Sequence, residues 1–477
     1  MAEIKIYVKS PIECKILKGL SETKILLSYP VEIFRQGQYR IVAETKRKTI
    51  VKPGGIFYTG LLQKLRAKAE AEGHTVSIDY NPAYKAVNEA VKPTKGALLP
   101  QVPGFESLRQ NDQFVALNRV LTSDPIRGVI QQPTGSGKSI LAMSIIKAFE
   151  GYKTLILCPN TQLVSQWHSE LKRFLFKDIC VLTGGDKNIY GKIVVSNVQT
   201  YVRQDLIELA DYFDVVIIDE AHLAFSPNPQ KSKSKKSMPN EGSSYEKILS
   251  KCLAPVRLGF TATLPTDQAK LLNIEGLLGP VISLITFDEA MDMGILSEPR
   301  VELICVPENK AISRLRNYKE EYQQGIVENK LRNRLIIEKV IQWANKGLTS
   351  IIFITRRDHG EILYSLAKEE GFLVEYVHGD TFQVTRDEVK AKLNNFDIDL
   401  VVASVIWREG INIPTLGGIF IAGGGESEMA LIQAAGRALR KVEGKDQAMI
   451  GDCLDIGPHL SQHTVSRIQT YSRLGWI

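Results

Sequence analysis

The sequence predicts an α/β protein in which two doubly wound parallel sheets follow in tandem behind a small N-terminal α/β accessory domain. Three observations carry that reading. Short β-branched runs alternate with helical stretches from about Leu98 onward, the pattern of strands buried on both faces. The alternation occurs twice, over residues 96–297 and again over 298–477. A glycine-rich turn, Gly135-Ser136-Gly137-Lys138-Ser139, joins strand to helix in the first series and has no counterpart in the second.

Residues 1–95 contain strand-like stretches at 4–8, 39–42 and 75–78 and a helix-like stretch over 59–71. They carry Arg40, Lys46, Arg47, Lys48 and Lys52 and no nucleotide motif, and the Pro- and Gly-containing run 91–96 reads as a linker. In the first sheet domain, 96–297, the expected strands are 128–130, 154–158, 193–196, 214–218 and 257–261. In the second, 298–477, they are 350–354, 373–377, 400–404 and 418–421. Residues 226–237, rich in Ser, Lys and Pro, have nothing apolar to bury and predict a mobile surface loop. Its lysines either touch phosphates or are simply solvated.

With 477 residues, 44% of them hydrophobic and 24% charged, the chain has room for two or three domains with sizeable cores. No apolar run reaches the length of a membrane span and the first residues lack a signal-peptide core, so a cytoplasmic location without a membrane partner is expected. Cys14, Cys158, Cys180, Cys252, Cys305 and Cys453 have no paired spacing, which suits reduced core residues rather than a zinc knuckle. A formal charge of +7 permits a polyanionic partner without requiring one.

The chemistry begins at Gln132-Pro133-Thr134-Gly135-Ser136-Gly137-Lys138-Ser139, between the apolar strand 128–130 and the helical run 140–146. Strand, loop and helix in that order form a phosphate-binding P-loop. Gly135 and Gly137 lack a Cβ, so the backbone N–H groups can turn inward around phosphate oxygens at a helix N-terminus. Lys138 is expected on the β- and γ-phosphates and Ser139 on Mg²⁺. Gln132 stands where such loops usually have Gly or Ala. The buried strand 214–218 delivers Asp219-Glu220-Ala221-His222 at its C-terminal end. There Asp219 is expected to hold Mg²⁺ and Glu220 to orient and deprotonate the attacking water.

Taken together these motifs resemble those of superfamily 2 helicases, over roughly residues 98–477. The residues 159–167, Pro-Asn-Thr-Gln-Leu-Val-Ser-Gln-Trp, are similar to motif Ia; Asp219-Glu220-Ala221-His222 to motif II; Thr261-Ala262-Thr263 to motif III. Leu108-Arg109-Gln110-Asn111-Asp112-Gln113 resembles the adenine-reading Q element, with Gln113 as reader. Val402-Ala403-Ser404 with residues 408–414 is similar to motif V, including Gly410 and Asn412, although the family commonly has Asp at the latter position. The stretch 433–440, Gln-Ala-Ala-Gly-Arg-Ala-Leu-Arg, is similar to motif VI.

The resemblance implies two RecA-like domains that share one ATP site. Pro133, Thr134, Gly135, Ser136, Gly137, Lys138 and Ser139 would bind the nucleotide, and Arg437 and Arg440 of the second domain would reach the γ-phosphate. His222, Thr261, Thr263 and Gln433 would couple nucleotide state to movement. Asn160, Thr161, Gln166, Ser196, Thr200, Thr355, Arg356 and Ser404 would hold nucleic acid, chiefly through its phosphate backbone. Trp407, beside motif V, either stacks on a base or packs in the core.

The interdomain segment 285–296 and the short N-terminal domain resemble the branched-DNA helicases of phages, of the UvsW type, a layout shared with a helicase of phage T5. That implies ATP-driven remodelling of forks and Holliday-like junctions in replication, recombination or repair, with 3′-to-5′ polarity and residues 1–95 gripping duplex. A phage origin would put the protein in the host cytosol, working as a monomer with no obligate protein partner. An RNA helicase and a non-unwinding duplex translocase of a restriction-type complex stay open as alternatives.

Overall fold

The computed structural model describes residues 2–36, 41–94, 108–184, 188–225, 243–265, 267–404, 407, 413, 415–425, 436, 439, 441 and 445–477, with the backbone alone at 32–36, 41–44 and 383. The chain separates into two compact units, Met1–Gln132 with Gly137–Ile285, and Thr286–Ile477 with Pro133–Ser136.

In the N-terminal region the strands are β1 (Glu3–Val8), β2 (Glu13–Lys18), β3 (Ser28–Gln36), β4 (Ile41–Thr49), β5 (Ile56–Tyr58) and β6 (Thr75–Tyr80). A mixed four-stranded sheet, ordered β5-β2-β1-β6, is covered by the helix Leu62–Ala71, while β3 and β4 form a separate ribbon. The alternation in β1 sends Ile4, Ile6 and Val8 into a core with Phe57, Leu61 and Leu65.

The first unit continues with β7 (Arg127–Gln131), β8 (Thr154–Cys158), β9 (Ile179–Leu182), β10 (Ile193–Asn197), β11 (Val215–Ile218), β12 (Val256–Thr261) and β13 (Val281–Leu284). All seven are parallel, in the order β13-β7-β12-β11-β8-β10-β9. Both faces are buried: Ile130, Ile156, Ile217 and Leu258 lie in one cluster, Val129, Leu155, Val216 and Ile218 in another. This two-sided burial is why the strands read as unbroken apolar runs.

The second unit holds β14 (Glu298–Cys305), β15 (Ser350–Ile354), β16 (Val374–Val377), β17 (Leu400–Ser404), β18 (Gly418–Ile421) and β19 (Gln447–Leu454). These pair in parallel as β14-β19-β18-β15-β17-β16 around Trp343, Ile352, Val402 and Phe420. Short strands such as β9 and β13, and the long β14 and β19, lack a signal strong enough to separate them from loops in the sequence.

The accessory sheet is docked on the first parallel sheet at a specific seam. Tyr58 Oη donates to Glu246 Oε1 at 2.9 Å, and Lys64 Nζ lies 2.5 Å from Glu275 Oε2. Gly60 presses on the helix Gln268–Leu278, where any Cβ would collide with the carbonyl oxygens of Glu275 and Gly276. Arg127 and Arg257 are register partners on β7 and β12, both fully buried. Both donate to the Leu277 carbonyl, Arg127 at 3.1 Å and Arg257 at 2.8 Å, and Arg127 also reaches the Pro11 carbonyl at 2.8 Å. The carbonyl end of a helix dipole offsets part of the cost of two buried cations.

All six cysteines are free thiols; five are buried and Cys305 is exposed. Among the described residues no helix is long and apolar enough to cross a membrane.

Candidate active site

Three of the strands that carry the sequence motifs, β7, β12 and β11, are consecutive in the sheet, and β8 follows β11. Their C-terminal ends therefore bring the P-loop, Thr261-Ala262-Thr263, Asp219-Glu220-Ala221-His222 and Asn160 to one edge of one sheet. The order in the sheet is not the order in the chain.

The P-loop leaves β7 and enters the helix Lys138–Ala148 through Gly135 and Gly137, at φ +89° and +86°. Both values lie in the left-handed region that favours glycine. A Cβ on Gly137 would also collide with Gln113 Nε2. Ser136 Oγ donates to the Pro133 carbonyl at 2.8 Å, closing the loop on itself. Lys138 Nζ donates to the Gln132 carbonyl at 2.9 Å, and Gln132 N donates to the Thr261 carbonyl at 3.0 Å. Gln132 is fully buried, and among the described residues neither atom of its carboxamide has a hydrogen-bond partner.

Gln113, expected to read adenine, is 2% exposed. Its Nε2 donates to the Gly137 carbonyl at 3.1 Å and its Oε1 accepts from Arg109 N at 3.1 Å. The side chain thus braces the P-loop from below, and a base contact would have to compete with these two bonds.

Asp219 is enclosed at the end of β11. Its Oδ1 accepts from Glu220 N at 2.9 Å and its Oδ2 from Trp167 Nε1 at 2.8 Å. Burial first, then the neighbouring Glu220 charge, push its carboxyl up to about 6, against the lowering pull of Trp167 and Lys138. It remains mostly ionised at neutral pH. Burial, reinforced by the Asp219 charge, raises the nearby Cys158 thiol well above its ordinary value, so that sulfur stays protonated.

Glu220 has φ +50°, a left-handed conformation that costs a non-glycine residue about 1 kcal/mol or more. Such strain is concentrated at functional turns. Thr261 Oγ1 donates to the Thr263 carbonyl at 2.7 Å, so toward His222 it acts as acceptor. His222 Nδ1–H then donates to Thr261 Oγ1 at 3.0 Å, and the same nitrogen stands 3.3 Å from Glu220 Oε2. One imidazole thus touches both motif II and motif III.

Magnesium takes one or two carboxylates and completes its shell with water and phosphate oxygens. The residues here fit such an ion: one ionised, partly buried carboxylate, Asp219, and the hydroxyl of Ser139 in the first turn of the P-loop helix. Among the described residues there is no cluster of three His, Cys, Asp or Glu side chains that would form an all-protein cage.

The expected nucleic-acid residues divide by burial. Thr161 and Thr355 are exposed, while Asn160 and Arg356 are partly so. Asn160 caps the helix Thr161–Arg173 by accepting from Leu163 N at 2.9 Å, and Arg356 pairs with Asp358 at 2.7 Å. Gln166 is half-buried, and Ser404 is 9% exposed.

Two expected contacts face inward, and one residue left open resolves to packing. Ser196 is fully buried and its hydroxyl donates to the Leu182 and Asn197 carbonyls, so it serves the sheet. Thr200 is 8% exposed on the short helix Val198–Tyr201; its backbone N–H donates to the capping Asn197 side chain, and its neighbour Gln199 is the exposed residue. Trp407 is 2% exposed, which leaves no ring face for a base and makes it a core residue of the second unit. In each case the side chain faces inward. Gly410, Asn412, Gln433, Arg437 and Arg440 lie outside the described residues, as do 226–242.

Sequence reasoning assigned no role to Trp167 or to the Arg127–Arg257 pair. The Gln-Trp dipeptide ending motif Ia was the only available signal for the first. Nothing marked the second.

Residues 106–266 match the family described as type III restriction enzyme, res subunit, and residues 332–442 match the helicase conserved C-terminal domain. The chain is 27% identical over 381 residues to the ATP-dependent DNA helicase uvsW of Enterobacteria phage T4, covering 72% of each protein. It is 25% identical over 351 residues to the DNA 3′-5′ translocase XPB2 of Sulfurisphaera tokodaii, covering 66% of this chain and 75% of that protein. The crystal structure of the helicase MrfA bound to DNA superposes with a TM-score of 0.58 at 18% identity, over 80% of this chain and 52% of that one, a likeness of fold.

Proposed function

We propose that the chain is a superfamily 2 helicase, as its two family matches and its likeness to phage T4 uvsW support, and that it is an ATP-dependent DNA helicase that unwinds or branch-migrates forked and Holliday-like DNA. The observation that supports this best is the adjacency of β7, β12, β11 and β8, which gathers four motifs at one sheet edge. Open α/β sheets bind ligands at that edge.

In this reading the backbone N–H groups of the P-loop hold the phosphates of ATP, and Lys138 exchanges the Gln132 carbonyl for the β- and γ-phosphates. Ser139 and Asp219 hold Mg²⁺, which when bound neutralises phosphate charge. Glu220 orients the attacking water and accepts its proton. Arg437 and Arg440 stabilise the transition-state charge from the second domain. Gln433, Gly410 and Asn412 complete that half of the site. His222, Thr261 and Thr263 relay the presence of γ-phosphate, and Asn160, Thr161, Gln166, Thr355 and Arg356 hold the strand. Residues 1–95 grip duplex near the branch, and the protein works as a monomer in the host cytosol.

The test is ATPase and strand displacement by the whole chain on tailed, forked and four-way DNA, with matched RNA strands alongside. Hydrolysis that forked or four-way DNA leaves unchanged would sink the proposal, and selective stimulation by RNA would favour an RNA helicase. A second reading draws on the restriction-subunit description of the family matched by residues 106–266. A duplex translocase of that kind would displace the third strand of a triplex without separating the underlying duplex.

A further inference from the structure

We propose that Trp167 is the positioning residue through which bound DNA and the Mg²⁺-nucleotide site sense each other. The inference rests on the helicase reading above and names how its two sites communicate. Trp167 lies on the helix Thr161–Arg173, which begins at the N-cap Asn160 and at Thr161, the residues that the helicase reading places on DNA. Its indole is 6% exposed, and its one donor, Nε1–H, reaches Asp219 Oδ2 at 2.8 Å across 52 residues of sequence. An indole has a single donor and no acceptor, so this is the only hydrogen bond the side chain can donate.

The two oxygens of Asp219 are held from two directions. Glu220 N, from the motif II turn itself, takes Oδ1, and Trp167, from the neighbouring helix, takes Oδ2. The carboxylate orientation therefore depends on where that helix sits. The helix can transmit a displacement because it is seated as one body: Leu163, Val164, Trp167 and Leu171 form a continuous buried stripe against the sheet. Asn160 is seven positions from Trp167, about 10 Å along the axis at 1.5 Å per residue. A strand that draws in the Asn160–Thr161 end shifts the indole, and with it the carboxylate that holds the metal. By the reciprocity of linkage, nucleotide with its metal must alter DNA affinity by the same factor.

Packing alone would be served as well by phenylalanine, which keeps an aromatic ring and lacks the N–H. The experiment measures binding of fluorescein-labelled forked DNA by anisotropy, for the whole chain and for Trp167→Phe. Each is tested without nucleotide, with a non-hydrolysable ATP analogue and Mg²⁺, and with saturating analogue plus a chelator. In the unaltered chain, analogue with Mg²⁺ is expected to change DNA affinity by about 5- to 150-fold, the usual range of such coupling. In Trp167→Phe the change falls by about tenfold or to none, the loss of one hydrogen bond to a charged group, while affinity without nucleotide stays within about twofold.

Full coupling in Trp167→Phe, with an unchanged melting temperature, overturns the proposal. Coupling in the unaltered chain that persists undiminished under chelator also overturns it, since the path ends on the metal-binding carboxylate; this arm decides even where the variant does not fold. An unaltered chain whose DNA affinity ignores nucleotide in every condition refutes the helicase reading itself, and the coupling falls with it.

Discussion

His222 Nδ1 and Thr261 Oγ1 lie 3.0 Å apart, joining the turn after β11 to the end of β12 through one hydrogen bond. The same hydroxyl donates to the Thr263 carbonyl and accepts from Thr263 N at 3.3 Å, so a single oxygen organises motif III. Thr261→Val preserves shape and removes all three bonds. ATP hydrolysis is expected to stay within about threefold, while strand displacement per ATP falls by about tenfold or more, the size of one lost coupling interaction. Parallel loss of both activities would mean that the hydroxyl serves folding or chemistry rather than coupling.

Lys138 and Glu220 should separate binding from turnover. Lys138→Ala is expected to weaken ATP binding by about tenfold or more through loss of the phosphate counter-charge. Glu220→Gln keeps binding and lowers kcat by about 10²–10⁴-fold, the contribution of a general base. Equilibrium binding of a fluorescent analogue, run beside steady-state hydrolysis, distinguishes the two, and a Glu220→Gln enzyme with full turnover would remove Glu220 from the role.

Asp219 makes the ligand-free protein pH-sensitive in an unusual direction. Its folded value of about 6 lies above the ordinary 3.8 because burial opposes the charge. A raised folded value means the native state holds the proton more tightly. Stability from this group is fully present below about pH 4 and is lost as pH rises through about 6. Asp219→Asn should therefore abolish hydrolysis yet relieve the cost of the charge, leaving the free protein more stable near neutral pH. Urea unfolding at about pH 7.5 and about pH 5 tests this, with the gain expected to shrink at the lower pH. A variant less stable than its parent at the higher pH contradicts it.

Gln132 is fully buried, and its carboxamide has no partner among the described residues. Leaving a buried amide unpaired costs about 1–3 kcal/mol, so Gln132→Met, an apolar side chain of similar length, should raise the melting temperature of the ligand-free protein by a few degrees. A fall of similar size in thermal denaturation would show that the amide has a stabilising role.

Gly60→Ala tests the seam between the accessory sheet and the first parallel sheet. The added Cβ meets two backbone carbonyls that cannot rotate away. A destabilisation of about 2 kcal/mol or more is expected, the scale of overpacking against backbone. Limited proteolysis should then release the N-terminal region sooner than in the parent. Unchanged stability and cleavage would mean that the seam yields easily.

Much of the fold was legible because its signals are local. The strands 154–158, 350–354 and 400–404 were expected with the bounds that the structure shows, since five consecutive buried residues leave a run no loop imitates. The strand–loop–helix of the P-loop was legible for the same reason: Gly135 and Gly137 state their backbone geometry in their own residue type. Residues whose role depends on which way they face were not legible in the same way. Ser196, Thr200 and Trp407 occupy recognisable positions, yet one step along a strand or a short helix decides between solvent and core.

By itself the sequence established the nucleotide chemistry and the count of sheets, because both depend on neighbours in the chain. Only the tertiary structure decided that β12 lies between β7 and β11, that Arg127 and Arg257 grip the same carbonyl, and that Trp167 hydrogen-bonds Asp219. These relationships join residues from 20 to 150 positions apart. They follow from the parallel crossover order of the sheet and the packing of helices on its two faces, which no local pattern encodes.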